Sequence, residues 1–321
     1  MTKQQIRNSF LLLLAACVWG VAFVAQSVAM DYVGPFTFSC ARFLLGGAVL
    51  LPVIGIFSLF HKNKSADTVA QTTPNIASNA SSDSRLTFWQ RNKTLIIGGI
   101  CCGTALCIAN NLQQVGIVTT SAGKAGFITA FYIVFVPILS LFFGKKSRLL
   151  IWISVILALA GLYLLCVTES FSINHGDIYI MICAFVFSAH ILIIDHFSPL
   201  VDGVKLSCIQ FFVAGILSAI PMLLFENPSF TQLQAASVSI LYAGIMSCGV
   251  AYTLQVVGQK NMNPTIASLI LSLESVVSVL AGWIILNQTL STREIIGCVL
   301  MFGAIILAQL PEKKSLLHQR S

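Results

Sequence analysis

Apolar residues fill this chain in ten long stretches, separated by short polar breaks. The stretches cover 9–30, 35–60, 94–115, 120–143, 149–168, 177–196, 203–225, 235–258, 264–286 and 293–310. At a rise of about 1.5 Å per residue, most are long enough to cross a hydrocarbon core of about 30 Å. The pattern predicts ten membrane helices. The first run, Phe10–Met30, is long for a signal-peptide core and lacks a small-x-small cleavage site, so it reads as a retained helix. The long polar break, 61–93, contains "KSADTVAQTTPNIASNASSDS". Its few large apolar side chains cannot offset ordering entropy, which predicts a disordered linker.

The two halves overlay on each other. Shifted by 168, "SCARF" (39–43) falls on "SCIQF" (207–211), Trp19 on Phe187, Gly47 on Gly215 and Arg42 on Gln210. Shifted by 142, "LQQVG" (112–116) falls on "LQVVG" (254–258), Ala125 on Ala267, Tyr132 on Glu274 and Gly161 on Gly303. The long 61–93 break accounts for the change of shift. Residues 1–60 with 94–168 form one five-helix repeat, and 169–311 form the second, followed by a tail over 312–321. With an odd number of helices per repeat, the second enters the membrane from the opposite side. The predicted fold is an all-α integral membrane protein of ten transmembrane helices in two inverted five-helix repeats. Such repeats characterise secondary transporters, whose substrate site lies near the midplane between the repeats.

Composition agrees with a membrane protein. The 321 residues are 57% apolar and only 9% charged, with a mean hydropathy of +0.89; soluble domains carry about 25% charged residues. The formal charge of +7 is spread over short loops without aromatic interleaving, which argues against nucleic-acid binding. With the N-terminus inside, fifteen of the eighteen Lys and Arg fall on cytoplasmic segments, Arg293 falls outside, and Arg42 and Lys124 lie within spans. This bias places both termini in the cytoplasm and the protein in the cell membrane. The ten cysteines sit mostly inside apolar runs and read as small hydrophobic filler. No HExxH, GxSxG, P-loop or Cys/His metal spacing occurs, so neither an enzyme nor an ATP-driven pump is indicated, and no cofactor or metal is implied. A polar-lined channel without ion coupling is the alternative to a carrier.

The stretches "AACVWGVAFV" (15–24), "SAGKAGFITAFYIVFVPIL" (121–139) and "ASLILSLESVVSVLAGWIILNQTLSTREIIGCVLMFGAIIL" (267–307) carry a resemblance. The chain resembles the EamA-type permeases of the drug/metabolite transporter superfamily over nearly its whole length, except 61–93 and the termini. The resemblance implies an exporter or permease for amino acids, amines and related metabolites, driven without ATP. The chain departs from the family in reading Glu274–Ser275 where Glu-Pro is common, which predicts a straighter ninth helix. It also reads Asn287–Gln288 where Gly-Glu is common.

The candidate site residues are the polar and aromatic positions inside spans. Lys124 either snorkels to the interface or supplies an ammonium in an outer vestibule that binds a carboxylate. Phe131 and Tyr132 lie along its face. Glu274 lies near the middle of the ninth helix, where a bare carboxylate is least tolerated. It is either a structural partner or a proton-coupling or amine-binding group, and the repeat register sets it opposite Tyr132. Arg42 needs several acceptors, with Asn110, Asn111, Gln113 and Gln114 as candidates, and acts as a structural clamp or a substrate contact. His190 is a proton relay or an interhelical hydrogen bonder, Gln210 is the repeat mate of Arg42, and Trp19 stacks on substrate or packs. Pro137 should kink the fourth helix near its middle, while Ser268/Ser272 and Ser278/Gly282 mark close helix approaches. The implied partners are a small-molecule substrate, the lipid bilayer and a proton gradient, for a monomer or homodimer.

Overall fold

The structure, a computed structural model, describes residues 3–69, 88–120, 122–144, 148–166, 174–277, 279–280 and 291–310. Ten apolar helices run through it: α1 (Lys3–Ala29), α2 (Pro35–Val69), α3 (Phe88–Ile117), α4 (Ala122–Thr129 continued by Tyr132–Phe142), α5 (Leu149–Cys166), α6 (His175–Phe197), α7 (Gly203–Phe225), α8 (Ser237–Gln259), α9 (Pro264–Val277) and α10 (Thr292–Gln309). Eight are long and apolar enough to span a bilayer; α5 and the described part of α9 are shorter. Many helix starts are set by local chemistry. Asn174 with Asp177, and Ser291 with Glu294, form capping boxes, while Asp202 and Asn263 cap α7 and α9. The N-terminus of α2 is capped from across the fold. Glu226, at the end of α7, accepts the Phe36 and Thr37 amides at 2.9 and 2.7 Å, placing a carboxylate at the positive end of the helix dipole.

The ends of the predicted 61–93 linker are helical, because α2 continues to Val69 and α3 starts at Phe88. Extending an existing helix costs little compared with nucleating one. The middle of that linker, the 312–321 tail and the Ser278/Gly282 pair lie outside the described residues.

Exchanging the halves leaves the packing pattern unchanged. α2 packs on α7, α5 on α10 and α4 on α9, each helix meeting its own counterpart. The other main contacts come in exchanged pairs: α3–α6 with α8–α1, α3–α7 with α8–α2, and α4–α6 with α9–α1. Close approaches hold these pairs together. A Cβ on Gly161 of α5 would lie 2.9 Å from the Gly297 carbonyl oxygen of α10, and one on Gly297 would lie 2.7 Å from that of Gly161.

α4 and α9 are interrupted at matching places. In α4 the ladder tightens at Ala130–Phe131, where Ile133 and Val134 donate to the carbonyls of Ala130 and Phe131 at 3.0 and 2.9 Å. The interruption precedes Pro137, which lies inside the following helical segment. In α9 the same tightening occurs at Ser272–Leu273, where Leu273 donates to Ile270 and Ser275 to Ser272, both at 3.2 Å. The expectation of a straighter ninth helix is therefore corrected. Without a proline, the Ser272 hydroxyl bonds back to the Leu269 carbonyl at 2.8 Å and competes with the ladder.

Candidate substrate-binding site

The interrupted helices border a cavity of about 50 Å³ lined by residues of both halves. Six pairs of repeat-related positions line it: Trp19/Phe187, Phe23/Ile191, Asn110/Tyr252, Gln113/Gln255, Thr129/Leu271 and Tyr132/Glu274. Gln26, Arg42 and Ser247 complete the lining. Because nearly every wall residue has its counterpart on the opposite wall, the cavity lies on the pseudo-twofold axis. A volume this size holds a few waters, at roughly 10–15 Å³ each.

Tyr132 and Glu274 meet across that axis. The Tyr132 hydroxyl donates to Glu274 Oε1 at 3.3 Å, and both side chains are buried. Each is the first residue after the interruption of its helix, which turns the two side chains toward one another. Arg42 forms the second polar centre. Its Nη2 donates to Asn110 Oδ1 at 2.5 Å and its Nη1 to Gln26 Oε1 at 3.1 Å. The Phe38 and Phe43 rings lie 5.1 and 5.0 Å from the guanidinium carbon, within cation–π range. Asn110 also donates to the Tyr252 hydroxyl at 3.3 Å, and the Tyr252 ring meets Trp19 edge-on at 4.6 Å. Gln113 donates to the Thr129 hydroxyl at 3.2 Å, joining α3 to α4.

Of the residues singled out from sequence, Trp19, Arg42, Asn110, Gln113, Tyr132 and Glu274 line the cavity. Lys124, Phe131, His190, Gln210, Asn111 and Gln114 lie outside its lining. His190 Nε2 and Gln210 Oε1 are 3.2 Å apart, forming a fully buried α6–α7 pair. Phe131 packs edge-on against Phe127 at 5.2 Å. The Lys124 ammonium forms an ion pair with Asp177 Oδ2 at 2.5 Å. Asp177 also accepts from Thr120 at 3.0 Å and from the Asn174 amide at 2.9 Å. The start of α4 is thereby tied to the start of α6. Of the other acceptors proposed for Arg42, Asn111 instead bonds Ser218, Gln113 bonds Thr129 and Gln114 approaches Met30.

Sequence reasoning missed Phe23, Thr129, Ile191, Ser247 and Leu271 as wall residues, and likewise Gln26, Gln255, Tyr252 and Phe187. The repeat register already pointed to the last three, as mates of Gln113, Asn110 and Trp19. Among the described residues, no group of three His, Cys, Asp or Glu side chains could hold a metal ion.

The pattern of one transporter family, described as the EamA-like transporter family, matches the chain twice, over residues 7–167 and 174–310. The chain belongs to the EamA-like transporter family. Among similar proteins, an "uncharacterized transporter" of Archaeoglobus fulgidus is 29% identical over 93% of this chain and 84% of its own length. The "uncharacterized transporter YwfM" of Bacillus subtilis is 25% identical over 95% of each chain. A protein of known crystal structure, 18% identical, superposes with a TM-score of 0.70 over 94% of this chain and 96% of its own. At that identity the likeness speaks for the fold alone. This EamA protein is thus a multi-pass membrane protein of a transporter family, with its cavity between the two matched stretches.

Proposed function

We propose that this EamA-like protein is a secondary active transporter, not an enzyme. It moves small metabolites such as amino acids, amines or related compounds across the cytoplasmic membrane by alternating access. Both termini face the cytoplasm, in accord with the distribution of Lys and Arg. The observation that carries the reading is the cavity on the pseudo-twofold axis, walled by repeat-related residues. Two inverted halves meeting at one site give a carrier equivalent routes to that site from either side. The interruptions of α4 and α9 beside the cavity are the natural places for those routes to open. Glu274 is the group that couples solute movement to the proton gradient, by exchanging a proton for the solute, and neither ATP nor a cofactor takes part. The unit that works in the bilayer is a monomer or homodimer.

Proteoliposomes loaded with members of an amino-acid and amine panel test this reading. A carrier shows uptake accelerated by solute on the opposite side, and a pH gradient drives accumulation. A conducting channel would show uptake indifferent to solute on the opposite side, and that result would overturn alternating access. Reporter fusions at both termini check the orientation in the same preparations.

A further inference from the structure

The guanidinium of Arg42 has few partners for its surroundings. The residue is 1% exposed and lines the cavity. Two neutral side-chain oxygens, from Gln26 and Asn110, accept from a group with five N–H donors, and its Nε is buried with no partner. Among the described residues, the ion pair that forms is Lys124–Asp177; no carboxylate comes within ion-pair distance of Arg42. A buried cation without a counter-ion is costly, and the flanking Phe38 and Phe43 rings attract the guanidinium without cancelling its charge.

The fold does not require a cation at this position. The repeat-related position on α7 is Gln210, an uncharged amide whose Oε1 lies 3.2 Å from His190 Nε2 and whose own Nε2 is buried without a partner. The charge on α2 is therefore specific to this wall of the cavity. A second donor belongs to the same cluster. Trp19 Nε1 is buried without a partner, and its ring rests on Tyr252, which receives the hydrogen bond of Asn110.

We propose that Arg42 is an anion anchor within the cavity and that the transported solute carries a carboxylate. The planar fork of the guanidinium matches the two oxygens of a carboxylate. The indole N–H of Trp19 supplies a further donor as the cavity widens, while Gln26 and Asn110 hold the guanidinium in place. The inference rests on the cavity being the transport site.

The test uses the purified full-length chain and a panel of matched compounds: each common amino acid, its carboxamide, and the corresponding acid without the amine. Thermal shift reads binding, and proteoliposome exchange reads transport. In the wild type, carboxylate-bearing members should bind at least about tenfold tighter than the matched amides, the scale of a charge-assisted pair. Arg42→Gln should erase that preference, and Arg42→Lys, which keeps the charge without the fork, should retain part of it.

Asn110→Asp provides a variant that does not remove the arginine. It gives the guanidinium an internal carboxylate, so carboxylate affinity should fall about tenfold or more while the ligand-free melting temperature holds or rises. Equal binding of amide and acid by the wild type would overturn the anchor. So would wild-type carboxylate affinity in both Asn110→Asp and Arg42→Gln, or a panel in which no member binds. Carboxylate binding without accelerated exchange would instead sink the transport reading alone, and exchange of amides as fast as acids would sink the anchor alone.

Discussion

Residues 100–110 and 242–252 occupy the same place in the two halves, yet their backbones differ. α3 is a regular α-helix through this stretch, whereas α8 widens into a π-helix over Tyr242–Tyr252. The wide turn changes which side chains face the cavity. Ser247 and Tyr252, five residues apart, both line it, a spacing that shares one face in a π-helix but not in an α-helix. On α3 the mate of Tyr252, Asn110, lines the cavity, and the mate of Ser247, Ala105, does not. Gly244 and Gly249 favour the wider turn, since glycine weakens the α-helix; their mates in α3 are Cys102 and Cys107.

The same contrast runs through the rest of the wall. The first half contributes Thr129 and Tyr132 where the second has Leu271 and Glu274, and it contributes Arg42, whose mate Gln210 lies outside the lining. At the ends of the helices, Lys124 and Asp177 tie α4 to α6. The corresponding α9 and α1 positions are Ile266 and Ser9, and nearby Asn8 donates to the Lys260 carbonyl at 2.8 Å. The shared backbone plan places the site, and the divergent side chains give it polarity.

The largest effect is expected where the halves differ most in charge. Glu274→Gln preserves shape and removes the ionisable group. Gradient-driven accumulation should drop to background while solute exchange persists, and unchanged accumulation would remove Glu274 from coupling.

A medium effect should come from making the halves alike. Tyr132→Glu sets two carboxyl groups at a contact now spanning 3.3 Å, which should lower stability by about 1–3 kcal/mol through loss of the buried hydrogen bond. Exchanging the pair, Tyr132→Glu with Glu274→Tyr, restores donor and acceptor across the axis. Most of the lost melting temperature should return; failure to recover would mean that the two walls are not interchangeable supports.

The smallest effect concerns the α4–α6 tie. Lys124→Gln or Asp177→Asn should each cost about 1 kcal/mol, because the lysine side chain remains 19% exposed and solvent screens the pair. Affinities for all solutes should change together. The charge reversal Lys124→Asp with Asp177→Lys should recover part of the stability. Selective loss of carboxylate affinity in Lys124→Gln would return the lysine to the binding site.

Ten helices and the repeat register were legible because a lipid-facing surface demands long apolar runs. Their counterparts fell into step despite the small apolar alphabet. That register also predicted the Tyr132–Glu274 encounter, and the need of a buried guanidinium for acceptors pointed to Asn110. Lys124 was read without its partner because Asp177 begins a helix 53 residues further on, where it reads as an ordinary helix start. Both backbone irregularities were hidden for a related reason. The break at Ala130–Phe131 comes before the proline that draws attention, and the one at Ser272–Leu273 has no proline at all. Serine back-bonding and π-turns leave only faint traces in composition.

A cavity on a twofold axis constrains how such a protein can diversify. If two identical five-helix chains built it as a dimer, every wall residue would occur twice, and charges could enter only in like pairs. Tyr132 facing Glu274 would be impossible: two carboxyls or two phenols would meet instead. Joining both halves in one chain removes that parity. Each wall position can then mutate without its twin, so a single cation or a single acid can stand at the centre. Substrate choice in this architecture is thus open to one-residue steps that a symmetric assembly could not take.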